Sequence, residues 1–542
     1  MLEGCVPWPE DFAKRYRALG LWQDITLFEM LEQSAAKWPE RIALVDSTER
    51  LTYAELVRRA KRLSEGLRDL GLKPLDRTVF QINNQASFAI AFFALVRIGV
   101  IPVMALPPHR QNEIRHFLKF SGATAYLIPD RMRGFDCRVM ALEMKAEIPS
   151  LRHIIVAGEA CEGQVSLNSL ISTDAPPPAF RPDPSEVALM LLSGGTTALP
   201  KLIPRTHNDY VLNARLAGEA CGFCEDTVYL AVLPLAHNYS LACPGMLATL
   251  YHGGRVVIAP AHDPDTIFGL VEKERVTLIP AAVPLIAGWV TSDIPRKYDL
   301  SSLKIVQNGG ARLSTELRKK LRAHLGCLTQ EDYGTAEGLI NLTRADDPEE
   351  VQLTSSGCPI CDEDEIKVLD AEGNEVQDGE PGELAVRGPY TIRGYYNNPA
   401  ANAKAFTADG FYRMGDIVRK RGRHIWAEGR KGDLINRGGE KISVDEIENL
   451  ILKHPSVQAV ALVAMSDPIY GEKACAFATL KDGASLGFKD LSDFLLAQGI
   501  AKFKLPERLE VLDEFPVSPA GKILRRTLRD MIEAKLADEK RN

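Results

Sequence analysis

Short apolar runs recur along this chain with helix-like patterns between them, and that alternation constrains the fold more than any single residue does. Ile154-Ile-Val-Ala, Val187-Ala-Leu-Met-Leu-Leu, Arg255-Val-Val-Ile-Ala and Leu303-Lys-Ile-Val mark four such runs between Ile25 and Ala427. Apolar runs separated by helical stretches argue for parallel strands wrapped by helices. From Glu365 to Arg393 the pattern becomes strands set off by the turn signals Asp370-Ala-Glu-Gly and Asp378-Gly-Glu-Pro-Gly, which predicts a small β-rich subdomain. After Gly429-Arg430-Lys431-Gly432-Asp433 the character shifts again. Ser443 with Glu446 forms a capping box, Ile447, Leu450 and Ile451 mark a helix, His454-Pro455 stops it, and Val457 to Val463 reads as a strand. A chain of 542 residues exceeds what one hydrophobic core organises. The expected fold is α/β: a large N-terminal domain of helix-flanked sheets with the β-rich subdomain, residues 1–429, and a small α+β domain, residues 430–542.

Charge and cysteine usage exclude several classes. A net charge of −7 and a pI near 5.9 give no electrostatic reason to expect nucleic acid, and the mixed charges of Ile523 to Asn542 read as a solvated helix face. The opening Met-Leu-Glu-Gly-Cys is no signal peptide, and Arg97 interrupts the most apolar stretch, Ala89 to Pro107, so a cytoplasmic protein without membrane contact is expected. Ten cysteines fit free thiols in a reducing compartment. The pairs Cys221/Cys224 and Cys358/Cys361 stand much farther apart than the roughly 15–20 residues of a zinc ribbon.

Chemistry enters at Leu191 to Thr206, where glycines and hydroxyls follow an apolar run and a lysine follows them. Ser193, Gly194, Gly195, Thr196 and Thr197 offer backbone N–H groups and hydroxyls to a polyphosphate, and glycine lets the backbone approach an anion closely. Lys201 adds a full positive charge. The spacing does not fit the loop of P-loop NTPases, and an ordinary surface turn is the alternative reading of this stretch alone.

Further segments follow in order: Tyr333-Gly-Thr-Ala-Glu337-Gly, Gly394-Tyr-Tyr with Phe411-Tyr-Arg-Met-Gly-Asp416, Glu428-Gly-Arg430 with Asn436-Arg-Gly-Gly-Glu-Lys441-Ile, and Pro519-Ala-Gly-Lys522-Ile. From about residue 25 to residue 530 this series resembles the adenylate-forming superfamily of acyl-CoA synthetases, peptide-synthetase adenylation domains and luciferases. Pro234-Leu-Ala-His237-Asn238-Tyr239-Ser-Leu-Ala-Cys243-Pro-Gly245 looks like the stand-alone aryl-acid AMP ligases of siderophore biosynthesis.

The resemblance implies ATP and Mg2+. Joining a carboxylate to AMP with loss of pyrophosphate requires two anions to be held together and their charge neutralised. On this reading Ser193 to Lys201 hold phosphates, Glu337 is the magnesium-binding glutamate, Asp416 and Arg430 bind the ribose, and Gly310 and Tyr333 belong to the ATP site. Lys522 matches the catalytic lysine and His237 joins it at the reacting end. The family then rotates its small C-terminal domain about a hinge, here Lys431-Gly432, so that a thiol can reach the adenylate; Gly438, Gly439 and Lys441 would line that tunnel. Gly432 departs from the Asp or Lys usual at the pivot, and Ala198 replaces a glycine frequent in the phosphate loop. Asn308 stands at an adenine-side position that is usually apolar.

Substrate choice follows the same correspondence. Amino-acid-activating relatives carry an aspartate in the segment matching His237-Asn238, and this chain has none there. Asn238, Tyr239, Cys243, Gly309 and Ile340 are the implied aryl-acid contacts. Cys243, a weak donor, and the bulk of Ile340 lean towards salicylate over 2,3-dihydroxybenzoate, whereas Tyr239 and Asn341 do not discriminate. The implied partner is a phosphopantetheinylated aryl carrier protein supplied in trans; an aryl- or acyl-CoA ligase using free coenzyme A is the alternative, and a catalytically idle scaffold is disfavoured by the charges of Lys201, Glu337, Asp416, Arg430 and Lys522.

Overall fold

The computed structural model describes the chain except residues 133, 172–179, 194–199, 311–312, 314, 371, 431–433, 517–522, 540 and 542, and describes backbone alone at 284, 316, 428–430, 434, 441, 443, 445, 449 and 526. Two predominantly parallel sheets dominate. In one, of nine strands, Ile42–Val45, Arg255–Ile258, Val228–Ala231, Leu278–Ala281, Ile305–Gly309 and Leu328–Thr335 run parallel, with antiparallel strands at both edges. In the other, of seven strands, Val187–Leu192 pairs parallel with Ile101–Met104 and antiparallel with Leu202–Thr206.

Helices fill the space between these sheets. Ala86–Arg97 is apolar on every face, which suits a helix with no solvent side. Its Phe88, Phe92 and Leu95 share one core cluster with Leu44 and Val256 of the larger sheet and Phe80 and Leu189 of the smaller. Arg97 ends this helix deep in the protein, where its guanidinium lies 2.7 Å from Glu65. That pairing is how a charge is carried by the apolar stretch noted in the sequence. No described helix is long and apolar enough to cross a membrane.

Glu365–Leu369, Pro381–Arg387, Tyr412–Arg421 and His424–Arg430 form an antiparallel four-stranded sheet. The next strand, Leu434–Arg437, belongs to a separate five-stranded sheet, which the helix Val444–Ile451 helps to cover. Ile442, Ile447, Leu462 and Leu491 give that C-terminal unit its own core. The molecule is thus mixed α/β, with a large N-terminal body of sheets and a small C-terminal domain.

Candidate active site

The carboxyl ends of the parallel strands and the loops that follow them enclose a cavity of about 520 Å³. Ser193, Lys201, His237, Asn238, Tyr239, Cys243, Gly310, Glu337, Ile340 and Gly439 of the sequence-predicted set line it. Gly194 to Thr197, Ala198, Lys431, Gly432 and Lys522 lie outside the described residues, as do the side chains of Arg430 and Lys441. A cavity of about 660 Å³ walled by Arg17, Pro74 and Arg181 contains none of the predicted residues.

One end of the main cavity is built for anions. Ser193 follows the strand Val187–Leu192 and is tied across to the next strand, its N–H donating to the Lys201 carbonyl at 3.0 Å and its hydroxyl accepting from the Lys201 N–H at 3.3 Å. The Lys201 ammonium stands 4.0 Å from the centre of the Tyr395 ring, and the Tyr395 hydroxyl donates to Glu337 at 2.8 Å. Burial draws the ammonium below its ordinary value while Glu337 opposes that change. Tyr395 thus spaces the cation from the carboxylate and keeps both turned to the cavity.

The Glu337 turn is fixed from behind. Arg205, fully buried, donates to the Ala336 carbonyl at 2.9 Å, to Tyr390 O at 3.1 Å and to Asp209 at 2.8 Å. Ile392 N–H donates to Glu337 O at 2.8 Å. Gly338 adopts φ +130°, and a Cβ there would sit 2.5 Å from Thr391 Cα, so only glycine lets the segment pass. A single carboxylate so held fits a hard cation that takes its remaining ligands from phosphate and water. Nearby, the Tyr333 hydroxyl donates to Asp416 at 2.8 Å, and Asp416 and Arg430 face each other across paired strands.

The other end is narrow and mostly apolar. His237 caps the helix Asn238–Ala242, its Nδ1 accepting from Tyr239 N–H at 3.3 Å. Asn238 accepts from the Tyr210 hydroxyl at 2.8 Å and donates to Cys243 Sγ at 3.2 Å, which leaves one donor and one lone pair of its amide for a ligand. The Tyr239 ring lies on Gly309, where a Cβ would stand 2.9 Å from Cζ; its buried hydroxyl has no hydrogen-bond partner among the described residues. Burial pushes the Cys243 thiol well up, so it is a neutral wall, not a nucleophile. Asn308 turns away from this end and donates to Glu331 at 3.0 Å, beside Arg318.

The C-terminal domain closes the cavity. The hairpin between Leu434–Arg437 and Glu440–Ser443 turns at Gly438 and Gly439, both with positive φ, and Asn436 donates to the Gly310 carbonyl at 3.2 Å. Three contributors escaped the sequence reading. Tyr395 lay in the quoted Gly394-Tyr-Tyr segment without a role, Arg205 closed the quoted phosphate-loop stretch, and Asp332 gave no signal beyond one acid in the polar run Thr329-Gln-Glu-Asp.

Comparison with known proteins agrees with this geometry. The profile described as AMP-binding enzyme matches residues 31–396, and that described as AMP-binding enzyme C-terminal domain matches residues 446–522. The chain is 45% identical over 537 residues to the 2,3-dihydroxybenzoate-AMP ligase of Bacillus subtilis, with 99% of each chain covered. It is 47% identical over 531 residues to the pyochelin synthase PchD of Pseudomonas aeruginosa, covering 98% of this chain and 96% of the relative. The apo structure of MbtA from Mycobacterium smegmatis superposes with a TM-score of 0.76 at 40% identity, covering 97% of this chain and 98% of that one.

Proposed function

The chain belongs to the AMP-binding enzyme family, and from that premise we propose that it is an aryl-acid AMP ligase of siderophore biosynthesis. It activates a hydroxybenzoate, salicylate or 2,3-dihydroxybenzoate, and passes the aryl group to the phosphopantetheine thiol of a separate aryl carrier protein in the cytoplasm. The observation that carries this reading is one cavity in which a flat slot, walled by Tyr239, Cys243 and Ile340, opens onto Lys201 and Glu337.

An aryl carboxylate seated with its ring against Tyr239 presents an oxygen towards the Lys201 end. That oxygen attacks the α-phosphorus of ATP, the bond to the β-phosphate breaks, and pyrophosphate leaves. Lys201 and the loop before it neutralise the polyphosphate, and a magnesium ion held by Glu337 supplies further charge screening when bound. Tyr333, Asp416 and Arg430 hold the nucleoside, and Lys522 steadies the reacting carboxylate and phosphate. Rotation of residues 430–542 about Lys431-Gly432 then exchanges Lys522 for the Gly438-Gly439 hairpin, and the thiol attacks the acyl carbonyl with AMP as leaving group. The hairpin's place at the cavity mouth supports this second role.

The test is ATP–pyrophosphate exchange with salicylate, 2,3-dihydroxybenzoate, benzoate, a fatty acid and mixed amino acids, followed by acyl transfer to a holo-carrier protein against free coenzyme A. Exchange with hydroxybenzoates and transfer to the carrier are expected. Transfer to coenzyme A alone would make the protein an aryl-CoA ligase, and no exchange with any aryl acid would refute the assignment.

A further inference from the structure

Asp332 occupies a place where an acid is costly. It lies in the strand Leu328–Thr335 with its Cα paired to Gly309, and it lines the same cavity as Tyr239, Cys243 and Ile340. The residue is 8% exposed. Among the described residues its carboxyl makes neither a hydrogen bond nor an ion pair, and the charge that acts on it is Glu331, of like sign. Side chains alternate along a strand, so Glu331 points to the opposite face, where Arg318 and Asn308 engage it. Nothing comparable meets Asp332, and burial pushes its carboxyl well above the usual carboxylate range.

A buried carboxyl without a partner costs several kcal/mol that an apolar residue in the same wall would not. The neighbouring Cys243 sulfur already accepts from the amides of Asn238 and Asn213, at 3.2 and 3.8 Å, so it does not answer the acid with a strong donor. The partner has to come from the ligand.

We propose that Asp332 selects aryl acids that carry a hydrogen-bond donor, an amino or a hydroxyl group, on the ring edge facing Cys243. The inference rests on the aryl-acid reading above and deepens it. Ionised or protonated, the carboxyl keeps an oxygen that accepts, and a donor on the ring satisfies it where a C–H or methyl leaves it unpaired. Specificity then lies with Asp332 more than with the weakly polar thiol beside it, and the lean towards salicylate drawn from Cys243 is reversed.

Exchange rates of the wild-type protein with salicylate, 3-methylsalicylate, 2,3-dihydroxybenzoate and 3-aminosalicylate read this directly. The two donor-bearing acids should exceed 3-methylsalicylate in kcat/KM by about tenfold or more, because an unpaired buried polar group is what makes a site reject an analogue. In Asp332→Val that ratio should fall to near one or invert. Equal rates for all four acids in the wild type, or an undiminished ratio in the variant, would overturn the proposal while leaving the aryl-acid reading intact. Silence with every acid would overturn both, and the wild-type comparison stands even if the variant folds poorly.

Discussion

Lys504 joins the C-terminal domain to the large one by a buried ion pair: its ammonium lies 3.1 Å from Glu113, in the helix Gln111–Ser121, and 2.9 Å from Glu446 of its own domain. All three side chains are less than a tenth exposed. Two carboxylates sharing one ammonium hold it charged against the cost of burial, and Asn112 adds a bond to the Gln498 carbonyl alongside.

Removing that cation strands two acids. Lys504→Ala should cost about 3 kcal/mol of stability, whereas Glu113→Gln, which leaves Glu446 to balance the ammonium, should cost less. Urea unfolding of both variants decides this, and equal small losses would mean that the ion pair contributes little.

Burial pushes the Asp364 carboxyl up to about 7, although the Tyr390 hydroxyl donates to it. In the unfolded chain the same group titrates near its ordinary value of about 4, so between about pH 4 and 7 the folded protein holds a proton that the unfolded one releases. This group's stabilisation is therefore complete below that window and is lost as pH rises through it, by roughly 4 kcal/mol at most. The difference in unfolding free energy between wild type and Asp364→Asn, followed from pH 4 to 8, should move against the wild type as pH rises. A flat difference would show that the acid is already ionised in the fold.

Glu337→Gln keeps an acceptor for the Tyr395 hydroxyl and should fold normally. Its exchange rate should drop by about 10²-fold or more, with a higher magnesium requirement, since a preorganised charge at the transferring phosphates is lost. An unchanged magnesium titration would remove Glu337 from the cation site.

Cys243→Ser exchanges a weak hydrogen-bonding group for a stronger one. The ratio of kcat/KM for 2,3-dihydroxybenzoate over salicylate should rise by about 1 kcal/mol in equivalent free energy, and no change would mean that the thiol does not face the ring substituent.

The parallel sheets were legible because apolar runs such as Val187–Leu192 and Arg255–Ile258 are buried on both faces and announce themselves without any partner. The residues proposed for the chemistry stood out for a different reason, since each sits in a short motif whose order resembles that of a known family. Asp332 and Arg205 did not. Their importance depends on what stands opposite: an acid in a strand reads as solvent-facing until the sheet is covered, and an arginine after a phosphate loop reads as a surface cation until Asp209 and two carbonyls surround it. Lys504 failed for the same reason, as its partner Glu113 is contributed by the other domain.

The hairpin meets the large domain at two glycines. A Cβ on Gly310 would stand 3.2 Å from Gly439 Cα, and one on Gly439 would come within 3.7 Å of Gly310. Gly310 is therefore crowded by the other domain, whereas at Gly439 the space would admit a methyl group and it is the positive φ that favours glycine. A methyl group at Gly310 would meet Gly439 while the hairpin is docked, and the positive φ of Gly310 would strain it in any arrangement, so this one glycine couples the shape of the cavity wall to the seating of the other domain.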